Sequence, residues 1–248
     1  MSYDYSENIL VQESAGHLLV DELGWQVELA YNQEVLGENG TFGRSSYKDI
    51  LLVRYFQKAL RTLNPWITDA QVTEAQNTFE KHLSSASLMQ INEEKYAYIR
   101  DGIPVTEKKP NGQTEEKRAI IIDFQHPNDM ERNHFLAVKE MKIHGDLYRR
   151  RTDIVGFVNG IPLLFIELKK NSVDVQNAYT DNYTDYLDTI PQLFYYNAFL
   201  MLSNGVEAKV ATLGSKYEFF HEWKRLSEQE QGSVALETSC LLYTSPSP

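Results

Sequence analysis

Residues 150–170 read RRTDIVGFVNGIPLLFIELKK. Two apolar runs flank Asn159-Gly160, a dipeptide that favours the left-handed backbone of a tight hairpin turn. Each run is apolar on both faces, which places the hairpin in the middle of a sheet. Ionisable groups nevertheless stand at its open end: Asp153 before the first strand, Glu167 and Lys169 closing the second. Such groups beside a buried hairpin cost free energy unless they are paired or bind a metal.

Register determines whether these groups meet. Glu167 and Lys169 are two apart on a strand and share a face, while Leu168 points the other way. A regular two-residue turn would pair Asp153 with Ile166 and put the two carboxylates on opposite faces. Pairing Asp153 with Glu167 needs one extra residue, either a three-residue loop Asn159-Gly160-Ile161 or a bulge, with Gly156 a place for the bend. The extra residue is expected here. Two carboxylates so placed form a hard-oxygen site suited to Mg²⁺, and the backbone carbonyl of Leu168 can add a ligand. Lys169 beside them would orient or deprotonate a water, or stabilise charge on a phosphate. Together they describe in-line hydrolysis of a phosphodiester. Glu-x-Lys alone is common, and its plainer reading is a surface salt bridge from Glu167 to Lys169 or Lys170. The full pattern, Asp before an apolar strand, Asn-Gly, then Glu-x-Lys ending a second apolar strand, is far more specific.

Outward from the hairpin, β-branched and apolar runs predict strands at Ala119–Phe124, Phe135–Ile143, Ile154–Val158, Pro162–Leu168, Ala198–Leu202 and Val206–Leu213. One helix, Val173–Leu187, interrupts them. The segment Thr106–Lys117 is polar and reads as a hairpin loop with Asn111-Gly112 at its tip. Upstream the pattern is helical. Residues 7–23 carry Ile9, Leu10, Leu18, Leu19 and Leu23 at helical spacing, with Gly24 as a stop. Residues 47–63 form a second helix, ended before Asn64-Pro65. Thr68 and Gln71 form a capping box that opens a third, running to about Leu83. The fold class is α/β, a mixed sheet flanked by helices, with a helical N-terminal portion.

Composition narrows the function classes. The chain has 248 residues, 24 Lys+Arg against 35 Asp+Glu, a net charge of −11 and one Cys. No apolar stretch approaches the roughly 20 residues of a membrane-spanning helix. The N-terminus lacks the basic and apolar regions of a secretory leader, so a cytoplasmic protein is expected. One Cys excludes an internal disulfide framework or a Cys-based zinc site. His126, His134 and His144 are too far apart for a local zinc motif. No Gly-x-x-x-x-Gly-Lys-Ser/Thr phosphate loop occurs. The acidic balance argues against a simple nucleic-acid binder, yet Arg149-Arg150-Arg151 is locally basic, and Arg150 and Arg151 are candidate phosphate contacts. The last ten residues, SCLLYTSPSP, break the preceding pattern and read as a truncated or non-native tail containing Cys240.

These residues resemble the nuclease core of the PD-(D/E)xK superfamily, and more narrowly the N-terminal endonuclease domain of type I restriction enzyme R subunits (HsdR). The resemblance extends to Gly24-Trp25, to DFQHPNDMERNHFLAVKEM (123–141), to the hairpin, and to the strands within 190–224. It covers residues 7–238 and implies a restriction-endonuclease-like domain over 1–238: a helical part at 1–100, a sheet core at 101–225, and a tail at 239–248. It implies that Asp153, Glu167 and Lys169 are catalytic, with Asp153 and Glu167 binding Mg²⁺ and Glu13 on the first helix completing the metal site. Thr152 replaces the family's usual Pro. The family's Gln-x-x-x-Tyr element has its nearest equivalent in Asn182-x-x-x-Tyr186, within AYTDNYTDY, as candidate DNA contacts. The implied partners are double-stranded DNA and the methyltransferase and specificity subunits. ATP would bind only through a motor domain absent from these residues. The rival readings are another nuclease of the superfamily and a catalytically silent docking module.

Overall fold

The computed structural model describes residues 3–109 and 111–222, with side chains from residue 11 onward. The tail at 239–248, Cys240, the side chains of Ile9 and Leu10, and the last residues of the 190–224 match lie outside the described residues.

The helical portion comprises α1 (Tyr3–Asp21), α2 (Val53–Leu63), α3 (Asp69–Glu80) and α4 (Leu88–Asp101), with strand β1 (Gln26–Leu29) after α1. A hairpin follows, β2 (Ile103–Lys108) and β3 (Thr114–Ala119). Then come β4 (Phe135–Lys139), β5 (Lys142–His144), β6 (Arg149–Arg151), β7 (Ile154–Val158) and β8 (Ile161–Leu168). A π-helical turn at Ala178–Tyr183 runs into α5 (Thr184–Thr189), and β9 (Phe199–Ser203), β10 (Ala208–Ala211) and β11 (His221–Glu222) complete the chain.

Among the described residues the main sheet has seven strands in the order β1-β4-β7-β8-β9-β10-β11. β1 pairs parallel with β4 and β8 parallel with β9; the other neighbours are antiparallel. The β7–β8 hairpin is therefore central, and both its faces are covered. On one face Val11, Ala15 and Leu19 of α1 pack with Ala137, Ile154, Ile166 and Leu168. On the other, Val155, Phe157, Phe165 and Leu202 pack with Ala178, Tyr183, Tyr186 and Phe194. A third cluster joins α2, α3 and the β2–β3 hairpin to Ile161 at the turn. Each fully buried Leu or Phe contributes about 1.5–3 kcal/mol, which is why a sheet buried on both sides shows no alternation.

The Thr68–Gln71 capping box forms with both reciprocal hydrogen bonds, and Gly24 ends the first helix at φ +67°. Four expectations need correction. Most of Thr106–Lys117 is paired strand rather than loop, since Thr106, Glu107 and Lys108 face Glu116, Glu115 and Thr114 and only residues 109–113 join the two strands. The second helix begins at Val53 rather than near residue 47, because the Leu52 N–H is committed to the Gly160 carbonyl at 2.9 Å. Leu51 and Leu52 are buried, but as a lead-in to the helix. Of Ala119–Phe124 only Ala119 lies in a strand, because the Asn64 side chain takes both backbone groups of Ile120 in place of a neighbouring strand. The helix expected at Val173–Leu187 starts later and is π-wound first, the Thr184 N–H reaching the Tyr179 carbonyl five residues back.

Candidate functional site

Val158 pairs with Ile161, so the turn has two residues, and Gly160 meets its geometry at φ +80°. The register then shifts: Phe157 faces Pro162, but Gly156 faces Leu164. Leu163 is the extra residue, a bulge in β8 opposite the Gly156–Phe157 step. From there Ile154 faces Ile166, so the continuing register sets Asp153 against Glu167. The extra residue is thus present as a bulge.

Asp153 stands just before β7 and its two oxygens are held separately. Leu168 N–H donates to Oδ2 at 2.8 Å, and Gln12 Nε2 of α1 donates to Oδ1 at 2.9 Å. Burial pushes the Asp153 carboxyl up to about 6, partly opposed by those hydrogen bonds and by Lys169. Glu167 is only 2 % exposed, and its Oε2 has no hydrogen-bond partner. Burial, and next the Asp153 charge, raise its carboxyl well above the usual range. An extended residue turns its N–H and C=O toward the same neighbouring strand, so the Leu168 carbonyl shares the Asp153 side.

Lys169 lies on the Glu167 face and its ammonium donates to Asn182 Oδ1 on the π-helical turn. Asn182 Nδ2 reaches the Tyr186 hydroxyl at 3.5 Å, and that hydroxyl donates to the Arg151 carbonyl at 3.0 Å. Asn182 and Tyr186 thus brace Lys169. Tyr186 is 5 % exposed, which leaves its ring as packing. Arg150 is spent on Asp185, at 2.5 and 2.8 Å, tying β6 to α5. Arg151 lies 3.6 Å from Glu140 and over the Tyr31 ring. Both arginines are engaged within the fold. Thr152 is buried and its N–H donates to Met141 O at 3.1 Å, a bond that Pro in its place could not make.

Glu13 requires correction. It is exposed, and among the described residues no three acidic or His/Cys side chains group tightly enough to hold a metal. The helix reaches the site through Gln12, one residue earlier and about 100° around the helix. A second residue that the sequence reading missed is Glu140. It is 8 % exposed with φ +53°, and its N–H donates to the Asp153 carbonyl at 2.8 Å. Lys139 faces Ile154 and Lys142 faces Arg151, so Glu140 opposes Asp153. Glu140, Asp153 and Glu167 hold consecutive cross-strand positions. The available signal was an acid interrupting the apolar run Phe135–Ile143.

A mixed sheet whose central hairpin carries a buried Glu167, a half-buried Asp153 and a lysine to one end defines a restriction-endonuclease-like fold. The family model described as the N terminus of type I restriction enzyme R proteins matches residues 4–219. The chain belongs to that family. It is 30 % identical over 218 residues to the type I restriction enzyme HindI endonuclease subunit of Haemophilus influenzae, covering 86 % of this chain and 20 % of that protein. It is 29 % identical over 196 residues to the putative type I restriction enzyme MjaIXP endonuclease subunit of Methanocaldococcus jannaschii, covering 77 % and 18 %. The chain spans about 20 % of the length of these relatives. Among the described residues no helix is long and apolar enough to cross a membrane.

Proposed function

We propose that this chain is the Mg²⁺-dependent endonuclease domain of a type I restriction R subunit, hydrolysing phosphodiester bonds of double-stranded DNA. The observation that carries the reading is the buried, unpartnered Glu167 Oε2 set against Asp153. Two carboxyls driven toward neutrality by burial, Glu167 also by the charge of Asp153 and Asp153 by that of Glu140, suit a hard divalent cation, which offsets these penalties with favourable charge. Asp153 and Glu167 would hold it, with the Leu168 carbonyl alongside. Bound Mg²⁺ would supply a more acidic water and charge neutralisation at the phosphate. Lys169, braced by Asn182, would place positive charge where the phosphate gains negative charge. Site recognition and ATP-driven movement would belong to the methyltransferase and specificity partners and to the remainder of such a subunit. Cytoplasmic residence accords with that role.

A metal-free docking module is the second reading, favoured by the net charge of −11 and by the ion-paired arginines. Calorimetric Mg²⁺ titration separates the two. Saturable binding is expected in the wild type, lost in Glu167→Ala and kept in Lys169→Ala, with DNA cleavage by the complete subunit lost in both. No binding by the wild type at millimolar Mg²⁺ with DNA present would favour the docking module.

A further inference from the structure

Among the described side chains of α1, Gln12 hydrogen-bonds to the site. Val11, Ala15 and Leu19, at i, i+4 and i+8, are buried in one cluster with Ile154, Ile166 and Leu168, the apolar neighbours of Asp153 and Glu167. That packing fixes the distance and rotation of the helix. Gln12 sits next to Val11 at the rim of this contact, half-buried, with its amide on Asp153 Oδ1 at 2.9 Å. Oδ2 is held by the Leu168 N–H at 2.8 Å. The two oxygens are thus held by two different elements, a helix and a strand. The carboxylate plane cannot turn without losing one of these bonds.

We infer that Gln12 is a positioning residue: its amide, carried by α1, fixes the plane in which Asp153 is presented beside Glu167 to a divalent cation. The inference rests on the metal-site reading above. The residue type fits the task. Glu140, Asp153 and Glu167 already occupy consecutive cross-strand positions, so an acid at position 12 would add a further negative charge. A lysine would neutralise the charge that the cation needs. An amide donates a hydrogen bond without altering the net charge. Outer hydrogen-bond partners of metal-ligating carboxylates typically contribute 10–100-fold in metal affinity.

The test uses the full chain with Gln12→Ala and Gln12→Asn, whose shorter side chain cannot span the distance, and with His17→Ala as an exposed control on the same helix. Mg²⁺ affinity by calorimetry is expected to fall about tenfold in both Gln12 variants and to stay unchanged in His17→Ala. In the wild type the Gln12 side-chain amide NMR resonance should move with the same Mg²⁺ midpoint. A merely structural residue would not report that midpoint. In urea unfolding without metal, Gln12→Ala and Asp153→Ala should be non-additive. Wild-type Mg²⁺ affinity in Gln12→Ala, or additive unfolding effects, would overturn the proposal. If the wild type binds no Mg²⁺, the metal-site reading fails, and the unfolding cycle alone decides whether Gln12 holds Asp153.

Discussion

A carboxylate oxygen buried without a partner, as Glu167 Oε2 is, costs free energy that folding must offset elsewhere. Two other buried charges among the described residues are satisfied. Arg44, 1 % exposed, donates to both oxygens of Glu34 and to the carbonyls of Asp49 and Lys142. Lys95, fully buried, donates to the Lys81 carbonyl and to Glu94. At Glu167 burial and the repulsion of Asp153 outweigh the attraction of Lys169 and the hydrogen bond from the Asp153 backbone, and Oε2 stays unpartnered, the pattern of a site kept at a cost in stability. Glu167→Gln should therefore stabilise the metal-free protein, by on the order of 1–3 kcal/mol near neutral pH. It should also abolish the stabilisation that Mg²⁺ gives the wild type. Thermal melts in chelator and in Mg²⁺ check both; a lower midpoint in chelator would refute the energetic argument.

At the scale of elements, the β7–β8 hairpin depends on one inserted residue. Leu163 realigns β8 so that Glu167 stands opposite Asp153, and Gly156 is where the realigned strands draw close. A Cβ at Gly156 would lie 2.9 Å from Leu164 Cβ and 3.0 Å from the Trp25 ring. Gly156→Ala should thus destabilise the protein by about 1–3 kcal/mol through overpacking, measured by urea unfolding. It should also weaken Mg²⁺ binding, because the strain falls on the bulge. Unchanged stability would mean that Leu164 and Trp25 yield freely. The π-helical turn is the second element with a defined task, since it carries the Asn182 side chain that holds the Lys169 ammonium.

For the whole molecule, the carboxyl pair links folding to pH. Asp153 is raised from 3.8 to about 6, and Glu167 is raised as well. Between those values the folded state binds more protons than the unfolded state, so stability falls as pH rises. The contribution is fully present below the unfolded value and is lost as pH climbs through the folded one. In chelator, the gap in thermal midpoint between Asp153→Asn and wild type should therefore widen from pH 4 to above pH 6. Mg²⁺ should narrow it above pH 6 by binding the folded wild type alone. A gap independent of pH would show that Asp153 titrates alike in both states.

The sequence by itself determined the architecture of the hairpin and the identity of its chemistry. Asn159-Gly160 specifies a tight turn through local backbone preference, and apolar runs without alternation place the strands inside a sheet. Asp153, Glu167 and Lys169 stand out because charge beside such strands is costly. The Thr68–Gln71 cap was legible for the same reason, since its hydrogen bonds span three residues. Only tertiary structure decided the rest. Whether the extra hairpin residue is a loop or the Leu163 bulge depends on packing against Trp25 and the neighbouring strands. Whether α1 offers Gln12 or Glu13 depends on which stripe of that helix the sheet buries, and a one-residue difference turns a helical side chain by about 100°. The pairing of Arg150 with Asp185 and the placement of Glu140 opposite Asp153 join residues distant in sequence or facing across strands. Periodicity records which face of an element is apolar, and the contacts between elements are set only when those faces meet.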